Sequence, residues 1–152
     1  MIIFDVEASG LADESYPIEI AWQDSEEPEK CDSFLIAPLS NWTHWDQYAE
    51  DEIHHISSSQ LTIQGIYPQE ACKRLNCKLG GKIIYSDAIE YDKRWVSRLF
   101  KDAGLSPRFH FGSIFDVLSN FEKITFEETI LNETVKHRAL DDVRQIIRLI
   151  KS

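Results

Sequence analysis

The sequence predicts an α/β domain in which three strands joined by short turns precede helices that alternate with two further strands. Three observations carry that expectation. Ile2-Ile3-Phe4 is an unbroken apolar run, the pattern of an inner strand covered on both faces. Short polar turns separate the first three strand-like segments, which suits an antiparallel meander. Later in the chain, apolar residues recur at helical spacing, most cleanly at Val143, Ile146, Ile147 and Ile150.

Taken in order, the first strand runs into Asp5-Val6-Glu7 and breaks at small residues, and residues 11–15 read as a polar turn. Residues 16–22 form a second strand with Pro17 at its start, where a missing N–H is tolerated. The acidic stretch 24–30 is a solvated turn, and residues 31–37 make a third strand stopped by Pro38. Residues 39–67 are less regular: 41–45, with Trp42 and Trp45, suit a segment that caps the sheet or packs beneath it, and 46–54 suit a short helix. From Tyr67, Ala71, Leu75 and Leu79 share one helical stripe that ends at Gly80-Gly81. Residues 82–87 are a fourth strand, 90–103 a helix closed by Gly104, 108–115 a fifth strand, and 139–151 the last helix.

At 152 residues the chain is expected to fold as one domain, 1–152, large enough to bury a core. Apolar residues make up 43% and charged residues 28%, a globular rather than disordered balance. No stretch reaches the length of a membrane span, and the amino terminus enters a strand directly, without a basic segment or cleavage site. Cys31, Cys72 and Cys77 lack ligand-like spacing and read as reduced thiols, so a cytoplasmic protein without a zinc site is expected. The net charge of −10 argues against tight binding of long nucleic acid, which usually shows as basic excess. Acids gathered to hold divalent cations weaken that argument, because bound ions place positive potential at the site itself.

The carboxylates are where the sequence becomes specific. Asp5 and Glu7 alternate with Val6, so they point to one side of their strand, about 6.6 Å apart. Two acids on a buried strand need a proton, a basic partner or a cation; no Lys or Arg is adjacent, which favours a hard divalent cation. On this stretch alone, a strand ending at Asp5 with both acids solvated is the better account. Two further acids change the balance. Asp92 shares its stripe with Val96, Leu99 and Ala103 and so faces inward at a helix start. Asp142 aligns with Ile146 and Leu149, while Asp141 aligns with Gln145 and Arg148, so Asp142 looks in and Asp141 looks out. First-turn acids also favour a helix dipole, which accounts for either one singly but not for both beside the strand pair. His137 could not share a site with Asp142 on one continuous helix, being about 140° away. On a loop feeding the helix, its imidazole could reach the acids.

Asp5-x-Glu7 followed by Ala8-Ser9-Gly10-Leu11, then Asp92, then His137-Arg138-Ala139-Leu140-Asp141-Asp142-Val143, resembles in order and spacing the three motifs of the DEDDh (DnaQ-like) 3'-5' exonucleases. The third motif is similar to that of oligoribonucleases, and Ile18-Glu19-Ile20-Ala21 is similar to the family's opening strands. Two departures stand out. Ser86-Asp87 occupy the place where the family commonly has His-Asn, and His55, in Ile53-His54-His55-Ile56, stands where many members have Gly. The resemblance implies a ribonuclease H-like fold, a mixed five-stranded sheet with helices on both faces. It implies two divalent cations, Mg²⁺ or Mn²⁺, about 3.5–4 Å apart. Asp5 would bridge both, Glu7 and Asp142 would complete one site, Asp92 would hold water on the other, and His137 would be the general base. It also implies that Ala8, Ser9, Gly10, Leu11, His55 and Ile56 contact substrate, a single-stranded DNA or RNA 3' end or a short oligonucleotide. Products would be nucleoside 5'-monophosphates. Arg94, Arg98 and Lys101 form a basic stripe beside Asp92, Lys136 and Arg138 flank His137, and Trp42, Trp45 and Trp95 are candidates to stack a base. The alternative is a catalytically silent nucleic-acid-binding or assembly protein that keeps the fold, and a homodimer is left open.

Overall fold

The computed structural model describes residues 1–132 and 138–151. Its centre is a five-stranded mixed sheet of β1 (Ile2–Ala8), β2 (Pro17–Asp24), β3 (Cys31–Leu35), β4 (Ile83–Ser86) and β5 (His110–Ser113), in the order β3-β2-β1-β4-β5. The meander is as expected: β1 pairs antiparallel with β2, and β2 with β3. β4 and β5 return parallel to β1 after crossovers, which makes the sheet mixed. β1 is therefore flanked on both edges and buried along all seven of its residues.

Helices cover both faces. On one side, Phe4 and Val6 of β1 and Ile18 and Ile20 of β2 join a core with α3 (Pro68–Leu79) and α4 (Ile89–Ala103). On the other, Ile3 and Ala21 pack with Ile114, with Phe126 of α5 (Asn120–Asn132), and with Val143, Ile146 and Ile147 of α6 (Ala139–Lys151). The strand period of two sends Phe4 and Val6 to the first face, and Ile3, Asp5 and Glu7 to the second. Both acids thus look toward α6.

The helices begin and end for local reasons. Pro68 sits at the first turn of α3, where its missing N–H costs nothing. α4 ends at Gly104, whose φ of 74° is the left-handed conformation that closes helices. Three elements depart from the expectation. Residues 46–54 form a short α1 (Gln47–Ala49) that widens into a π-helical turn, Glu50–His54, ending at His55 with φ 56°. That left-handed φ suits glycine, which accounts for the Gly that the resemblance puts there. α2 (Ser58–Gln64), capped by Ser57, lies in the stretch read as irregular; it buries only Leu61, too little for a periodic signal. α5 was not expected, yet Ser119 and Glu122 form a reciprocal capping box at its start. Strand limits also move: β2 reaches Asp24, and β3 and β5 are shorter than read, because pairing with a neighbour, not apolar content, sets the ends. No helix among the described residues is long and apolar enough to cross a membrane.

Candidate active site

The fold brings the four expected acids together. Asp5 and Glu7 come from the middle of the sheet, Asp92 from the first turn of α4 and Asp142 from the first turn of α6. Carboxylate oxygens of Asp5, Glu7 and Asp142 lie within 4.8 Å of one another. A second group of the same tightness joins Asp5 to Asp92 and to Asp87, in the connection between β4 and α4. Asp5 belongs to both. The helical-face argument holds: Asp142 is partly buried and Asp141 exposed.

These acids have little protein to neutralise them. Asp5, Glu7 and Asp92 are 8%, 8% and 1% exposed. Oδ2 of Asp5 and Oδ1 of Asp142 are buried without a hydrogen-bond partner among the described residues. An orphaned buried carboxylate oxygen is costly, and here two of them face one cluster. The protonation equilibria report the same frustration. Burial, reinforced by the charges of Asp92, Glu7, Asp142 and Asp87, pushes Asp5 well above the usual carboxylate range. Burial and then Asp142 push Glu7 up to about 10, and burial pushes Asp142 up to about 6. Asp92 is also raised by burial, despite a hydrogen bond from Ser86 that works the other way. Burial and mutual repulsion thus favour the protonated forms of these acids in the metal-free protein. Hard oxygen donors gathered this tightly are what a divalent cation takes in their place.

Two supports of the site were not read as such from the sequence. Glu19, on β2 beside Glu7, is buried and accepts from Nε and Nη2 of Arg138, with Nη2 to Oε2 at 2.6 Å. It also accepts from the backbone N–H of Ala139 at 2.9 Å, which caps α6 and fixes the turn carrying Asp142. Its only signal was a polar residue inside the apolar run 18–21. Ser86 Oγ donates to Asp92 Oδ2 at 2.6 Å and accepts from the Ala88 N–H at 2.9 Å, tying the β4 exit to α4.

The acids floor a cleft of about 280 Å³, walled by Tyr91, Trp95 and Leu11. A neighbouring lobe of about 120 Å³ shares Val6, Glu7, Leu11 and Trp95 and adds Ala8, Gly10 and His54. Gly10 has no room for a side chain, since a Cβ would lie 2.8 Å from the His44 ring and 2.9 Å from Asp46. Of the six residues expected to touch substrate, Ala8, Gly10 and Leu11 line this lobe. Ser9 does not: it is fully buried, and its Oγ accepts from the Tyr16 N–H. Ile56 is buried in the core and His55 is exposed, while the adjacent His54 is the one that lines the cleft. His54 Nδ1 accepts from the Ile56 N–H at 3.0 Å, so Nε2 carries the proton and lacks an acceptor among the described residues.

The expected binding stripes are largely engaged elsewhere. Arg98 lies over the Trp42 ring and donates to the carbonyls of Glu14 and Ser15. Arg94 donates to the Leu11 carbonyl, so the two arginines pin the turn that follows β1. Trp42 is buried, stacked on Tyr16 and hydrogen-bonded to Asp102, and cannot stack a base. Trp45 packs edge-on to His54, and Trp95, with Tyr91 beside it, faces the cleft. Arg138 is paired with Glu19. His137 and Lys136 lie outside the described residues.

No protein-family model and no curated protein matches the chain. Solved structures do. The chain is similar to the zinc-bound form of E. coli exonuclease I in complex with single-stranded DNA, at a TM-score of 0.73 and 14% identity, over 99% of this chain and 39% of that one. It is similar to the same enzyme in complex with a dA16 oligonucleotide, with TM-score 0.74, 14% identity and coverages of 99% and 39%. The complex with a dT13 oligonucleotide gives TM-score 0.73, 13% identity and coverages of 99% and 40%. The chain thus spans about two fifths of the length of the exonuclease I chains it matches. Identity at this level speaks for the fold alone, the ribonuclease H-like α/β architecture that this chain has in common with the matched part of exonuclease I.

Proposed function

We propose that residues 1–152 act as a metal-dependent 3'-5' exonuclease domain that releases nucleoside 5'-monophosphates from the 3' end of single-stranded DNA or RNA, short oligonucleotides included. One observation carries the reading: acids from three separate elements converge on a cleft, with two buried oxygens that have no partner among the described residues. Two divalent cations, Mg²⁺ or Mn²⁺, would supply positive charge at the attacking and leaving oxygens. Asp5 would serve both, Glu7 and Asp142 one, and Asp92 the other. Attack of water on the terminal phosphorus would break its bond to the neighbouring 3' oxygen. His137 would accept the proton of that water, a task suited to an imidazole near neutral pH. Tyr91, exposed in the cleft wall beside Trp95, would flank the terminal base.

The test is an assay of the purified chain on 5'-labelled DNA and RNA oligomers from dinucleotide length upward, with metal omitted as control. Metal-dependent shortening from the 3' end is expected. Binding of oligomers without shortening in either metal would favour a silent protein that keeps the fold. His137→Ala should retain metal binding and lose most hydrolysis; cleavage at the wild-type rate would remove His137 from the role of base.

A further inference from the structure

Asp87 fills a position where the family that the chain resembles commonly carries a neutral residue. The sheet register explains where it goes. β1 and β4 run parallel with Ile3 beside Tyr85, and both side chains join the α6 side of the core. Two residues further on, the same face and the same alignment bring Asp5 beside Asp87. Oxygens of Asp5, Asp87 and Asp92 accordingly fall within 4.8 Å of one another. Donors sharing one Mg²⁺ at about 2.1 Å are separated by about 3.0 to 4.2 Å, so this group is compact enough for a single ion after small side-chain adjustments.

Proximity of acids is not by itself a site, but an independent feature points to a ligand. Oδ2 of Asp5, the residue common to both groups, is buried and has no partner among the described residues. Ser86 Oγ donates to Oδ2 of Asp92 and accepts from the Ala88 N–H, so one buried hydroxyl ties Asp92 to the backbone that follows Asp87. Asp87 has no basic partner among the described residues. Resting on the nuclease reading above, we propose that Asp87 is a direct ligand of the second cation, which therefore has three protein carboxylates, Asp5, Asp87 and Asp92. That position then fills without help from a substrate phosphate. The chain carries both ions before nucleic acid arrives.

Manganese alone, titrated into the purified full chain and followed by the electron paramagnetic resonance of free Mn²⁺, tests this. The wild type should take up two ions per chain in the absence of nucleic acid. Asp87→Asn should keep one and weaken the other about tenfold or more, as loss of a charged ligand does, while Glu7→Gln should weaken the ion that Asp87→Asn spares. Melting without metal establishes that each variant folds. Anomalous density from Mn²⁺-soaked wild-type crystals, with an ion within about 2.2 Å of an Asp87 oxygen, is a readout that needs no variant. Two ions of unchanged affinity in Asp87→Asn, a single ion in the wild type, or density away from Asp87 would overturn the role of Asp87 and leave the nuclease reading standing. No uptake by the wild type would overturn both.

Discussion

Glu7 and Glu19 are direct neighbours across β1 and β2, both buried, and yet they are opposite kinds of residue. Glu19 is fully answered by the protein: Arg138 grips both of its oxygens, and Ala139 adds a backbone N–H. Glu7 shares its hydrogen bond with another acid, Asp142, and feels the charges of Asp142, Glu19 and Asp92, while the Arg138 charge that also reaches it is already paired with Glu19. Burial of a carboxylate therefore says little about function. Burial without a cation does, because such an arrangement costs stability that an apoprotein has no reason to carry.

The contrast can be broken most severely at Asp5, the residue shared by both acid groups. With Mn²⁺ at a hundredfold its dissociation constant, binding should stabilise the wild type by about 2.7 kcal/mol. Asp5→Ala should abolish that rise in melting temperature and reduce hydrolysis to background. A wild-type rise in the variant would show that the ions sit elsewhere.

Next in size is the structural partner. Arg138→Ala leaves Glu19 buried beside Glu7 with no cation, and should cost about 2–4 kcal/mol in urea unfolding. The figure lies below that of a fully buried pair because the Arg138 side chain is 42% exposed. A loss below about 1 kcal/mol would mean that the pair is decorative.

Glu7→Gln should do the reverse in metal-free protein. Glu7 is raised to about 10 in the folded state from 4.5, so the folded protein holds a proton that the unfolded chain releases. Stability from such a group is greatest at low pH and is lost as pH rises toward 10. Metal-free wild type should therefore gain stability as pH falls from 8 to about 6.5, by up to about 1.4 kcal/mol per pH unit for each extra proton held. Below that range His54, which burial holds neutral, pulls the other way. Glu7→Gln should flatten the slope and raise metal-free stability at pH 7.5 by about 1 kcal/mol. An unchanged slope would place the extra protons elsewhere.

The smallest effect belongs to the exposed member of the Asp141-Asp142 pair. Asp141→Asn should fall within about 0.5 kcal/mol in stability and leave cleavage unchanged. Asp142→Asn should remove most Mn²⁺ stabilisation. Equal effects would mean that the start of α6 presents a different face.

Much of this was legible in the chain. The period of α4 turned Asp92 inward, and the period of α6 separated Asp142 from Asp141, because helical spacing alone decides which side chains share a stripe. α5 was not expected, because its residues form no apolar stripe, although Ser119 and Glu122 at its start have the spacing of a capping box. Other features had no local signature. Nothing near Glu19 says that its partner is Arg138, 119 residues away. Trp42 and Trp95 look alike in sequence; one is spent on Tyr16 and Asp102, the other faces the cleft. His54 and His55 are adjacent, and the left-handed φ that ends the π-helical turn decides which one points inward.

What the sequence determined by itself is the strand-and-helix plan and the sidedness of its acids, since periodicity is a property of neighbours along the chain. What the tertiary structure alone decided is which acids are answered and which are not. That depends on β4 lying parallel to β1, so that Asp87 comes alongside Asp5, and on β2 carrying Glu19 to the start of α6, so that an arginine is consumed there instead of in the cleft. Pairing of charges is a matter of distance in space, and separation along the chain carries no information about it.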